Sequence, residues 1–87
     1  MSVKVHNPLL FQKTDGQRII EVNGKTVNEC LKELAERFPK LELFDEQNEL
    51  QPFFAIWLNG EDVHPNEMDR PVKDGDELHL LVMIEGG

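Results

Sequence analysis

Two glycines, Gly86 and Gly87, stand last in the sequence, directly after the apolar run "LHLLVMI" and Glu85. Glycine weakens a strand, because it has no side chain to pack and loses the most backbone entropy on ordering. The pair therefore reads in two ways. It is either fraying at a chain terminus, or a thread thin enough to carry a carboxylate into a narrow site where a Cβ would collide. Both readings stay open on these two residues alone.

The remaining reactive side chains give weaker signals. Cys30 has the chemistry of a thioester or persulfide site, but it lies within "TVNECLKELAERFP" at a spacing that assigns it to an apolar stripe. Buried thiols of that kind behave as small hydrophobes. His6, His64 and His79 share no metal-ligand spacing and read as surface or turn residues. Asp74, Asp76 and Glu77 lack the twelve-residue pattern of a calcium loop and read as a solvated turn. No phosphate-cradling GxxxxGK[ST] and no Ser/His/Asp or paired-carboxylate grouping can be named. The expectation is a chain that is not an enzyme, has no metal site and binds no cofactor stably.

Composition sets the partners. The 87 residues have room for one small domain. Nine basic against seventeen acidic residues give a net charge of −8 without a basic cluster. That balance disfavours nucleic acid and anionic membranes and favours a basic protein partner. A lone cysteine forms no internal disulfide, which fits the reducing cytoplasm. The start carries no signal-peptide pattern, and no apolar run approaches the ~18 residues of a membrane helix.

The elements that must position these groups follow from periodicity. Val27, Cys30, Leu31, Leu34, Ala35 and Phe38 recur at helical spacing, with Thr26 and Glu29 as a capping box and Pro39 as the stop. A helix is predicted over 27–38. Val3 and Val5 alternate with polar residues, and "RIIEV" follows Asp15-Gly16, so two antiparallel strands joined by a tight hairpin are expected. "KLELFDEQNELQ" reads as a loop with one short helical turn. "FFAIWLNGEDV" predicts a strand, an Asn59-Gly60 turn and a short returning strand at 61–63, and a last strand is expected at 77–84. The order is α+β, with one main helix packed across one face of a small mixed sheet.

That order, with "VNGKTVNECLKELAERFP", "WLNGEDV" and "VKDGDELHLLVMIEGG", resembles the ubiquitin-like sulfur-carrier proteins of the β-grasp fold over essentially the whole chain. This group contains the small subunit of molybdopterin synthase and the thiamine-pathway sulfur carrier. The resemblance implies a single β-grasp domain over 1–87, with 85–87 as a flexible tail. It implies that an adenylyltransferase of the ubiquitin-activating type uses ATP to adenylate Gly87, holding Glu85, Gly86 and Gly87. The product is converted to a thiocarboxylate that donates sulfur to an acceptor on a synthase subunit. The extra residues between helix and third strand look more like the molybdopterin type than the shorter thiamine type. Alternatives within the resemblance are sulfur donation to thiamine or to cysteine or homocysteine, and conjugation of Gly87 to lysines as a protein modifier.

Strand parity locates a docking surface. If Phe54, Ile56, Leu58, Leu78, Leu80 and Val82 face the helix, then Phe53, Trp57, Leu81 and Met83 lie together on the opposite face. They form a candidate partner-binding patch, unless the 40–52 segment folds over them.

Overall fold

The computed structural model describes residues 2–83. Five strands, β1 (Ser2–His6), β2 (Ile19–Asn23), β3 (Phe54–Leu58), β4 (Glu61–Val63) and β5 (Glu77–Val82), form one sheet in the order β2-β1-β5-β3-β4. β1 and β5 run parallel at the centre, and the other neighbours are antiparallel. A single α-helix, α1 (Val27–Arg37), packs on one face. This is the α+β, β-grasp architecture expected from the element order.

The helix starts and stops for local reasons. Thr26 Oγ1 accepts the Glu29 backbone N–H at 3.1 Å. Glu29 Oε1 reaches back to the Lys25 N–H at 3.2 Å, one residue before the position a capping box would use. At the other end Phe38 is the C-cap, donating to the Leu34 carbonyl, and Pro39 opens a short 3₁₀ turn. Val27, Cys30, Leu31 and Leu34 form the buried stripe, meeting Val3, Val5, Ile20, Val22, Ile56, Leu78 and Leu80 from the sheet. Burying each Leu or Ile in such a core stabilises the fold by roughly 1.5–3 kcal/mol. Gly24, between β2 and the helix, allows close approach: a Cβ there would lie 2.8 Å from the Cys30 nitrogen and 3.0 Å from its Sγ.

Two expectations need correction. Asp15 and Gly16 do take positive φ, 54° and 80°, but they close a 3₁₀ turn at Phe11–Thr14 and do not form a two-residue hairpin. The β1–β2 connection is instead organised by Asn7, which is fully buried. Its Nδ2 donates to Thr14 Oγ1 at 3.1 Å, its Oδ1 accepts the Leu10 N–H, and Thr14 Oγ1 donates to the Gln17 carbonyl. A buried amide must satisfy its hydrogen-bonding groups, so this network sets the path of the loop.

Asp76 is the second correction, because it is buried and not solvated. Its carboxylate accepts from the Lys73 N–H and from Asn59 Nδ2, while Asn59 Oδ1 accepts the Glu77 N–H. Asn59 and Gly60, at φ 50° and 87°, form the β3–β4 turn, so this clip ties that turn to the start of β5. The Lys73 N–H and then Asn59 hold the Asp76 carboxyl below its ordinary range.

The segment after the helix packs beside it. Leu41 and Leu43 enter the core. Phe44 and Leu50 form a bridge around Asp45, whose Oδ1 accepts the Gln47 and Glu49 N–H groups. Lys32 of α1 lies 4.0 Å above the Phe44 ring and hydrogen-bonds Asn48. The segment is thereby held on the helix side, and among the described residues the other face of the sheet stays bare.

Candidate functional site

The bare face is built by strand alternation. Phe54, Ile56, Leu58, Leu78 and Leu80 point into the core, so their neighbours point away from it. Ala55 stands opposite Leu81, and Trp57 opposite His79. The Met83 N–H donates to the Phe53 carbonyl at 2.7 Å, continuing the β3–β5 ladder. Phe53, Trp57 and Met83 are 45%, 38% and 53% exposed, and Leu81 is half-buried among them. All four predicted patch residues thus share one uncovered surface.

The face extends further than the sequence reading reached. Its middle row runs from Trp57 through His79 and His6 to Ile19, which is 54% exposed on β2. The His6 and His79 rings are stacked, with centroids 4.4 Å apart and planes 5° from parallel. His6 Nε2 also meets Glu77 Oε1 at 2.5 Å. Strand alternation places each histidine outward, but only the parallel pairing of β1 with β5 brings residues from opposite ends of the chain together.

Charge on this face is mainly acidic. Glu21, Asp62 and Glu77 face outward from β2, β4 and β5, and Lys4 of β1 pairs in register with both Glu21 and Glu77. His64, following β4, lies 3.7 Å from Asp62. Among the described residues no group of three or more His, Cys, Asp or Glu is arranged to hold a metal, and no helix is long and apolar enough to cross a membrane.

Cys30 is buried in the helix–sheet core. Burial first, and then Glu33 and Glu29, push its thiol up to about 11. It is protonated at neutral pH and has little nucleophilic character. Glu85, Gly86 and Gly87 lie outside the described residues, as does Ile84 at the predicted end of the last strand. Met83, next to Phe53, is the last described residue before them.

Among the described residues, one α-helix across a five-stranded mixed sheet is the ubiquitin-like β-grasp architecture. The sequence model of the ThiS family matches residues 9–87, and the chain belongs to that family. It is 31% identical over 90 aligned positions to a candidate sulfur carrier protein of Archaeoglobus fulgidus, covering 100% of both chains. Among solved structures it is similar to the Amycolatopsis orientalis BexX/CysO complex, at 32% identity, 98% and 99% coverage and a TM-score of 0.80. It is also similar to small archaeal modifier protein 1 of Methanosarcina acetivorans, at 27% identity, 99% and 96% coverage and a TM-score of 0.82.

Proposed function

We propose that this chain carries sulfur on the carboxylate of Gly87 and is a substrate, not a catalyst, of the enzyme that loads it. The observation that carries the reading is the family match, which runs through Gly86 and Gly87. Adenylation forms a bond between a Gly87 oxygen and the α-phosphorus of ATP and expels pyrophosphate. A sulfide-level nucleophile then attacks the acyl carbon, AMP leaves, and a thiocarboxylate remains. Glycine suits both steps, since an unsubstituted backbone passes through a channel that a Cβ would block. The phosphate-binding machinery belongs to the partner adenylyltransferase, and ATP is that enzyme's substrate.

Docking on the outer face supplies the reach. Gly87 follows Met83 by four residues, so its carboxylate can lie no more than about 17 Å from the Met83 Cα along a fully extended chain. A partner that covers Phe53, Trp57, Leu81 and Met83 must therefore hold its reacting nucleotide within that radius. The same surface would serve in turn a sulfur-accepting synthase subunit; the similarity to a carrier crystallised with a partner supports that role. The acceptor proposed is of the molybdopterin type, on the strength of the long packed segment between α1 and β3. Residues 1–87 act as one carrier domain, with 85–87 as the tail that enters the partner.

A second reading is conjugation of the activated Gly87 to lysine amines. The similarity to a small archaeal modifier protein favours it. Intact mass of the protein purified from its native host separates the two. Replacement of one oxygen by sulfur supports the carrier reading, and attachment to other proteins through Gly87 supports the modifier. A homogeneous free carboxylate, in cells where the adenylating enzyme is active, would count against both.

A further inference from the structure

The stacked imidazoles lie in the middle of the surface assigned to docking, with Trp57 on one side and Ile19 on the other. We propose that the His6–His79 stack makes docking proton-linked, the partner binding the form in which His79 is neutral; this rests on the carrier reading above. The occupant is the adenylating enzyme, presenting an apolar centre and a basic rim. The rim complements Glu21, Asp62 and Glu77 around the face and the net charge of −8.

The geometry allows one proton on the stack more readily than two. Two imidazolium rings with centroids 4.4 Å apart would repel each other. His6 has a carboxylate partner, its Nε2 meeting a Glu77 oxygen. A charge on His79 would have no carboxylate partner among the described residues: its cross-strand neighbours are His6 and Trp57. The other charged groups facing the pair are Lys4 on β1 and Glu21 on β2, already in register with each other, and Asp62 on β4, one strand beyond Trp57. Histidine is the side chain that ordinarily changes charge between pH 5 and 8. Covering the row Ile19–His6–His79–Trp57 with an apolar surface removes water from His79, and an unpaired charge there would oppose binding. Docking therefore favours the neutral ring, and by linkage acidity weakens docking.

The test is calorimetric titration of the full chain with the host's adenylating enzyme at pH 7.5 and 5.5, in two buffers of different ionisation enthalpy. The expected result is binding about threefold or more weaker at the lower pH, with net release of protons on binding. His79→Gln should abolish most of that pH dependence, and thermal melts should confirm that the variant is folded. His6→Gln, which removes the neighbouring ring's charge and frees Glu77, should carry the effect to higher pH, as a second, independent variant. Binding that is equal at both pH values without proton release overturns the inference and leaves the carrier reading standing. So does a pH dependence that survives unchanged in folded His79→Gln. Absence of binding by the unaltered chain at pH 7.5 overturns both.

Discussion

Trp57 on β3 lies directly opposite His79 on β5, and both project from the face that α1 leaves bare. Trp57 is 38% exposed, so of the ~150–250 Å² that an aromatic side chain buries a partner removes roughly 60–95 Å² from water, an upper figure of about 2 kcal/mol before ordering costs. Hot spots measured after those costs are worth about 2 kcal/mol or more. Trp57→Glu and Met83→Lys are therefore expected to weaken binding of the adenylating enzyme by about thirtyfold or more while leaving the melting temperature nearly unchanged. Ile56→Asn should do the reverse, because it buries an unpaired amide in the core. Titration of each folded variant beside its thermal melt checks this; a Trp57→Glu protein that unfolds yet binds normally when folded would place Trp57 in the core.

Gly24 leaves no room for a Cβ, which would lie 2.8 Å from the Cys30 backbone nitrogen. Gly24→Ala should destabilise by about 1–3 kcal/mol, since backbone at 2.8 Å cannot yield as a side-chain tip would. Cys30→Ala should cost on the order of 1 kcal/mol through lost packing and leave sulfur loading intact. Urea unfolding and a loading assay on each variant separate the effects. Loss of loading in a folded Cys30→Ala protein would route sulfur through this thiol.

Asp76 makes stability depend on acidity. Its carboxyl titrates lower in the folded chain than in the unfolded one, so its contribution is fully present above the unfolded value and is lost as pH falls through the folded one. Asp76→Ala leaves the Lys73 N–H and Asn59 Nδ2 without their acceptor and should destabilise by about 1–3 kcal/mol at neutral pH. The penalty should shrink in strongly acidic solution, where the native carboxyl is itself protonated. Denaturant titrations of both proteins across the acid range give the comparison, and a penalty independent of pH would exclude the charged clip.

The helix was legible because Val27, Cys30, Leu31 and Leu34 repeat with its period, and the bare face because Phe54, Ile56 and Leu58 alternate with Ala55 and Trp57. Asp15-Gly16 misled, since such a pair reports only positive φ, which a 3₁₀ turn uses as readily as a hairpin. No local pattern singles out Asn7 or Thr14, and Asp76 reads as part of a solvated turn. Their burial depends on hydrogen-bond partners that only the tertiary fold brings near. The His6–His79 stack was hidden for the same reason, being a product of the β1–β5 pairing and of no local spacing.

Pyrophosphate exchange into ATP by the host's adenylating enzyme reports whether Gly87 itself is activated. Exchange should depend on the unaltered chain and vanish on deletion of Gly87 or on addition of one alanine after it. Both variants should melt with the unaltered protein, since the last residues of a chain add little to stability. Undiminished exchange with the alanine-extended chain, in the absence of any processing protease, would contradict the account.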